Sequence, residues 1–300
     1  MQEFLQQIVN GVSWGSIYAL IALGYTMVYG ILRFVNFAHG DIYMVGAFLG
    51  FYAAGWLSGQ GVTGLPLVLL VFVSSMLGSA LLGVALEQTA YRPVRSQPKL
   101  TALITAIGVS LFLENAGNLV FGADPKFFPQ ILESRTFHLP GGALIPSTQV
   151  LILAGSTALM LSLNFVIYRT RLGRAMRAVS FNRDAASLMG IPADRIITAT
   201  FALGSALAAA AGVLVALSTP RVDPLMGVMP GLKAFVAAVL GGIGNIPGAM
   251  LGGLVMGVAE TLVAGYLSST YRDAIAFAIL IAILLWRPSG LLGRAVTEKV

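Results

Sequence analysis

The sequence predicts an all-α polytopic membrane protein with eight or nine transmembrane helices, some of them broken, and two stretches that read as an inverted repeat. Three observations carry this. Only 10% of the 300 residues are charged and 57% are hydrophobic, with a mean hydropathy of +0.86, so there is too little polar material to clothe a soluble globule. The apolar runs are continuous for about 20 residues instead of alternating, which selects helices over a β-barrel. Finally, 12 of the 18 basic residues fall on one side of a single alternating path, as the positive-inside rule requires.

Residues 1–300 therefore read as one transmembrane domain carrying a cytoplasmic segment at 169–195. The 35 glycines suit helices that pack closely in lipid. With no cysteine, disulfides, thiolate catalysis and cysteine metal sites are excluded. His39 and His138 lie too far apart in sequence to build a metal cluster by themselves. No cleavable leader is expected, because the chain opens with Glu3 and has no basic stretch before its first apolar run. The net charge of +6 is distributed by topology and implies a lipid bilayer, with no nucleic acid partner.

The first apolar run covers about Val12 to Leu32, with Gly11 and Gly15 one turn apart on a small-residue face. It ends in R-F-V-N-F-A-H-G-D, where Asn36, His39, Gly40 and Asp41 interrupt two apolar stretches. This is either a tight turn at the membrane surface or a broken helix facing a pathway, where intramembrane polar groups belong. Runs at 42–57 and 65–86 follow, then Arg92, Arg95 and Lys99 without an acid, which marks the cytoplasmic side. The run at 100–121 holds Glu114. Residues 122–148 carry four prolines and balanced charge, which places them outside. The runs at 150–168 and 196–217 flank the arginine-rich segment.

Three short crossings complete the chain, at about 231–243, 247–267 and 271–286, with Arg287, Arg294 and Lys299 inside. The path then has nine crossings with an external N-terminus; eight is the alternative. The breaks at 34–50 and 224–242 have opposite membrane sides, as an inverted repeat flanking a central path would have.

Arg169–Arg195 is the long water-loving segment, with six arginines against two aspartates for a local charge of +4. Inside it Asn182 can cap a short helix, Asp184 complements its positive end, Gly190 suits the residue past its last turn, and Pro192 stops it. That leaves a helix over 183–189, too short to be stable alone. Ala185, Ala186, Leu188 and Met189 give it a compact apolar surface for a partner's groove. The alternative is an amphipathic linker on lipid headgroups.

G-G-I-G-N-I-P-G-A-M-L-G-G, residues 241–253, is too rich in glycine for an ordinary helix interior, where each glycine costs about 1 kcal/mol and proline about 3. It is not a phosphate loop, since no Lys-Ser or Lys-Thr follows, and no G-x-x-x-x-G-K-[ST] occurs in the chain. It reads as a break where backbones cross closely, using Gly241, Gly242, Gly244 and Gly248. No catalytic constellation is found. Lys233 with Glu87, Glu114 and Glu260 leaves an ion-coupled carrier as a reading of another class.

N-F-A-H-G-D (36–41), A-Y-R-P-V-R (90–95), G-R-A-M-R-A…A-A…M-G-I (173–191) and A-A-V-L-G-G-I-G-N-I-P-G-A (237–249) together resemble the permease family of bacterial ATP-binding-cassette importers for branched-chain amino acids. The resemblance runs to the C-terminal Val-Thr-Glu-Lys-Val. It implies a bacterial inner-membrane, non-enzymatic transport subunit with no cofactor of its own. The implied partners are a second related permease chain, two cytoplasmic ATP-binding subunits that hold ATP and magnesium, and a periplasmic substrate-binding protein. Asn182, Asp184, Ala185, Ala186, Leu188, Met189 and Gly190 would couple to the ATPase. Asp184-Ala185-Ala186 stands where the family's usual loop begins Glu-Ala-Ala, so the acid is kept. Asn36, His39, Asp41, Lys233 and the four glycines of the break would belong to the path. Permeases for urea or short amides look similar.

Overall fold

The computed structural model describes residues 2–133, 135–138 and 142–293. Arg294, Lys299 and the C-terminal Val-Thr-Glu-Lys-Val lie outside the described residues. Among the described residues, eight helices are long and apolar enough to cross a membrane. They are built on α1 (Gln2–Leu32), α2 (His39–Gly59), α3 (Gly64–Leu86), α4 (Lys99–Phe121), α5 (Ser147–Arg169), α8 (Ala193–Ser218), α10 (Ile246–Tyr266) and α11 (Arg272–Trp286), with α3 continued by further turns to Val94 and α11 preceded by one from Ser269. Between them lie α6 (Arg171–Phe181), α7 (Arg183–Leu188) and α9 (Val228–Gly241). The end that carries α6 and α7 is the inner end, by the charge rule.

Helix α1 begins ten residues before the apolar run that predicts it, and its 31 residues span about 46 Å, longer than a hydrocarbon core of about 30 Å. It packs along α10 with almost nothing between the backbones. A Cβ built at Gly257 would meet the backbone nitrogen of Gly15 at 2.2 Å, and one at Gly253 would meet that of Ala19 at 2.4 Å. In lipid, where apolar burial gives no preference between protein and solvent, such small-residue contact is what holds helices together. Alanine-rich α8 is the other central helix. Its Gly212 lies against the α2 backbone at Tyr43, and Ala208 to Ala211 are fully buried. By contrast α3 and α4 turn Leu69, Leu77, Leu81, Leu100, Ile104 and Phe112 outward.

The outer end holds two short sheets that the all-helical reading did not foresee. β1 (Lys126–Phe127) pairs with β4 (Arg221–Val222), tying two outer connections together, and β2 (Thr136–His138) pairs with β3 (Leu144–Pro146).

Both breaks are real and deep. After α1 ends, Arg33 adopts a left-handed conformation (φ 59°), and the chain returns into the bundle. His39 packs against Gly24, eight residues before the end of α1, which is about 12 Å above that end. On the other side, residues 219–227 descend from β4 until Gly227 meets Gly40. Helix α9 then covers only the remaining depth: its 14 residues span about 21 Å against a hydrocarbon core of about 30 Å. Among the described residues it is the one apolar helix too short to rank with the eight long ones. The two breaks lie side by side, and residues of both, Gly40 and Asp41 on one and Gly227 and Gly231 on the other, line one cavity of about 90 Å³. They touch, with the Gly227 Cβ position 2.1 Å from the Gly40 carbonyl oxygen, because glycine on both sides lets the two helix starts abut.

Candidate functional site

Two groups of predicted residues come together in space, one at the inner end and one deep in the bundle. In the first, Asn182 caps α7 by accepting from the Ala185 backbone N–H at 2.9 Å. Gly190 has a φ of 82°, a conformation that glycine enters without steric cost, and its N–H donates to the Ser187 carbonyl at 3.0 Å. Pro192 caps α8. These three positions do what their chemistry predicted, although α7 ends at Leu188.

One expectation is corrected. Ala186 is only 5% exposed and joins the protein's own core, whereas Leu188 and Met189 are 88% and 83% exposed. The apolar surface open to a partner is therefore Leu188, Met189 and the neighbouring Phe181, itself 92% exposed. Asp184 and Ala185 also stand on the open side. The amphipathic helix α6 leads into this surface. Thr170 caps it through the Gly173 N–H, Met176 and Val179 are buried, and Arg177 lies over the Tyr168 ring while donating to the Ile167 carbonyl.

Asp194, which sequence reasoning passed over, is the hub. Its carboxylate accepts from Arg183 of α7 at 3.1 Å, Arg92 at 2.8 Å and Arg95 at 3.0 Å. Arg95 is almost fully buried and also pairs with the completely buried Glu87, whose other oxygen accepts from the Thr198 hydroxyl at 2.6 Å. Burial lowers the Arg95 pKa from its ordinary value, with Asp194 opposing that shift. Glu87 opens a π-helical turn, Glu87–Tyr91, that continues α3. The wider turn carries Tyr91 inward, where its hydroxyl donates to the Asn36 side-chain oxygen. Arg33 adds a second link by donating to the Ser180 carbonyl of α6 at 3.3 Å.

In the deep group, Asn36, His39 and Asp41 are each 2% exposed. The His39 ring meets Tyr25 edge-on at 4.8 Å, and Asp41 accepts from the Ser110 hydroxyl. Beside them a cavity of about 90 Å³ is bordered by Tyr25, Asp41, Ser110, Glu114 and Gly231. Lys233 is not part of this group. It is 6% exposed and paired with Glu260 at 2.7 Å and Asp273 at 2.6 Å. Gly241 and Gly248 abut through their backbones, and Gly242 (φ 103°) lies against Gly293. Gly244 has φ 93° but open surroundings. No group of three or more metal-ligating side chains occurs among the described residues.

Comparison with known proteins decides the family. Residues 7–284 match the family described as "Branched-chain amino acid transport system / permease component". The chain belongs to this permease family. It is 46% identical over 301 residues to the high-affinity branched-chain amino acid transport system permease protein LivH of Escherichia coli K12, covering 99% of this chain and 98% of that one. It is 45% identical over 302 residues to the permease protein BraD of Pseudomonas aeruginosa, at the same coverage. A more distant permease, a probable LivH of Methanocaldococcus jannaschii, shares 29% over 309 residues, covering 96% and 92%. The chain is thus a permease of several membrane passages, with an arginine-rich inner face.

Proposed function

We propose that the chain is the membrane-spanning subunit of an ATP-driven importer for branched-chain amino acids in a bacterial inner membrane. It works beside a second, related permease chain. Two cytoplasmic ATP-binding subunits hold ATP and magnesium, and a periplasmic binding protein delivers the substrate. The observation that carries this reading is the likeness, end to end and at 45–46% identity, to permeases named for that transport.

The geometry supplies a physical route for the work. Leu188 and Met189 project from a one-turn peg into open space, a shape that a groove on an ATP-binding subunit can grip. The peg is not free to swivel, because Arg183 ties it to Asp194, and Asp194 is tied to Arg92 and Arg95. From there the π turn and Tyr91 lead to Asn36 in the deep break. A displacement of the peg is delivered to the end of α3 and to the start of α2 together. The cargo is a zwitterion with an apolar side chain, which crosses without a charged tunnel, and Lys233 and Arg95 are each paired with a buried glutamate.

The test is co-purification. With a tag on this chain and the neighbouring transport genes co-expressed, two ATP-binding subunits are expected to elute with it. The double variant Leu188→Glu, Met189→Glu is expected to lose them while the permease pair stays assembled. Full retention in the double variant overturns the docking role of this surface.

A further inference from the structure

At the outer end, a cavity of about 460 Å³ opens between the first turns of α1 and α5, the last turns of α8 and α10, and the start of α11. That is within the usual size of small-molecule sites. One wall is polar: Gln149 donates to the Asn10 side-chain oxygen at 3.2 Å and to the Ser13 hydroxyl at 2.9 Å. Another patch is apolar, formed by Trp14 and Ile17. Arg272 completes the lining.

The setting of Arg272 is unusual. Its Nε donates to Glu260, a fully buried carboxylate whose same oxygen also takes Lys233. The guanidinium lies 5.2 Å from the Trp14 ring. Its two terminal amino groups have no hydrogen-bond partner among the described residues, and the side chain is 35% exposed at the cavity. A guanidinium fixed along one edge and stacked on an aromatic face has little rotamer freedom left to lose. It offers the planar fork that matches a carboxylate in two parallel hydrogen bonds. Two cations and two carboxylates balance in the cluster Lys233, Arg272, Glu260 and Asp273. Selectivity therefore comes from the shape of the fork and not from a positive field.

We propose that this cavity is an entry subsite for a neutral amino acid. Arg272 holds the α-carboxylate, the side-chain oxygen of Gln149, whose amide nitrogen is engaged by Asn10 and Ser13, takes the α-ammonium, and Trp14 and Ile17 take the apolar side chain. The proposal rests on the reading of the chain as an amino-acid permease and adds a substrate contact on this chain, separate from the binding protein.

The experiment uses the complete complex in lipid nanodiscs without the binding protein. Ligand-observed saturation-transfer NMR follows L-leucine and, in parallel, L-leucinamide, which keeps the ammonium and side chain but lacks the carboxylate. Saturable leucine binding is expected, with leucinamide at least about tenfold weaker and Arg272→Gln weakening leucine by at least about tenfold. Arg272→Lys, which keeps the charge beside Glu260 but loses the fork, is expected to fall between. Equal binding of the two ligands by the unaltered complex, which needs no variant to fold, overturns the proposal. So does an absence of leucine binding, or unchanged binding in Arg272→Gln. ATP-driven leucine uptake with the binding protein, measured on the same preparation, keeps the two readings apart. Uptake without a carboxylate-selective site removes the subsite and leaves the permease. Absent uptake with a carboxylate-selective site does the reverse.

Discussion

Replacing Asp194 with alanine is expected to separate ATP hydrolysis from transport. Its carboxylate gathers Arg92, Arg95 and Arg183 within 3.1 Å. Arg92 and Arg183 are 51% and 46% exposed, so solvent screening holds those contacts to about 0.2–1 kcal/mol each. Arg95 is only 4% exposed, and a hydrogen bond to a charged group in that setting is worth about 1.5–3 kcal/mol. Neighbouring contacts do not add fully, which puts the tie at about 2–4 kcal/mol. Arg95 keeps Glu87 as its partner, so no charge is stranded and the bundle stays folded. What disappears is the tether between α7 and the end of α3. The link that reaches α7 is the half-exposed Arg183–Asp194 pair, at about 0.2–1 kcal/mol, so leucine moved per ATP hydrolysed is expected to fall by up to about fivefold. The assay is a proteoliposome carrying the whole complex, with labelled leucine uptake and phosphate release followed together and subunit retention checked on the same sample. An unchanged uptake-to-hydrolysis ratio in Asp194→Ala, with all subunits retained, would refute the transmission route.

Further outcomes follow from the same contacts. Ala186→Glu is expected to unseat α7 from its own chain, because the new charge is buried without a partner at a cost of several kcal/mol; limited proteolysis within 169–195 reports it, and an unchanged cleavage pattern argues against the inward seat. Gly257→Leu is expected to lower the melting temperature and abolish uptake by driving α1 from α10, whereas Gly55→Ala, with open space around its Cβ position, should leave both unaltered or gain up to about 1 kcal/mol of helix propensity. Reporters fused near Arg95 and Arg183 should read cytoplasmic and one near Lys126 external. An external signal at Arg183 contradicts the assignment of the inner end.

Local chemistry was legible and distance was not. Asn182, Gly190 and Pro192 act on their own neighbours, so a cap, a left-handed glycine and a helix stop could be read directly. The glycine face at Gly11 and Gly15 was legible for a similar reason, since close backbones demand small residues. The direction of Ala186 was not, because a helix of six residues has too few turns to define an apolar face without α8 beside it. Asp194 drew no notice in the sequence, because its partners Arg92 and Arg95 lie about a hundred residues away. Hydropathy identifies an interruption at Asn36–Asp41 without giving its depth. The return of the chain to the level of Gly24 comes from tertiary packing of His39. The pairing of Arg272 with Glu260 needed the hairpin of α10 and α11.

On this reading the chain carries branched-chain amino acids across the membrane only as part of an ATP-driven assembly. Uptake of labelled leucine into proteoliposomes tests it most directly, comparing the co-purified complex plus binding protein with and without ATP, and the chain reconstituted alone. Accumulation is expected only in the complete, ATP-supplied system. Accumulation by the chain alone, driven by an ion gradient, would contradict the claim, as would a complete complex that hydrolyses ATP and moves no leucine.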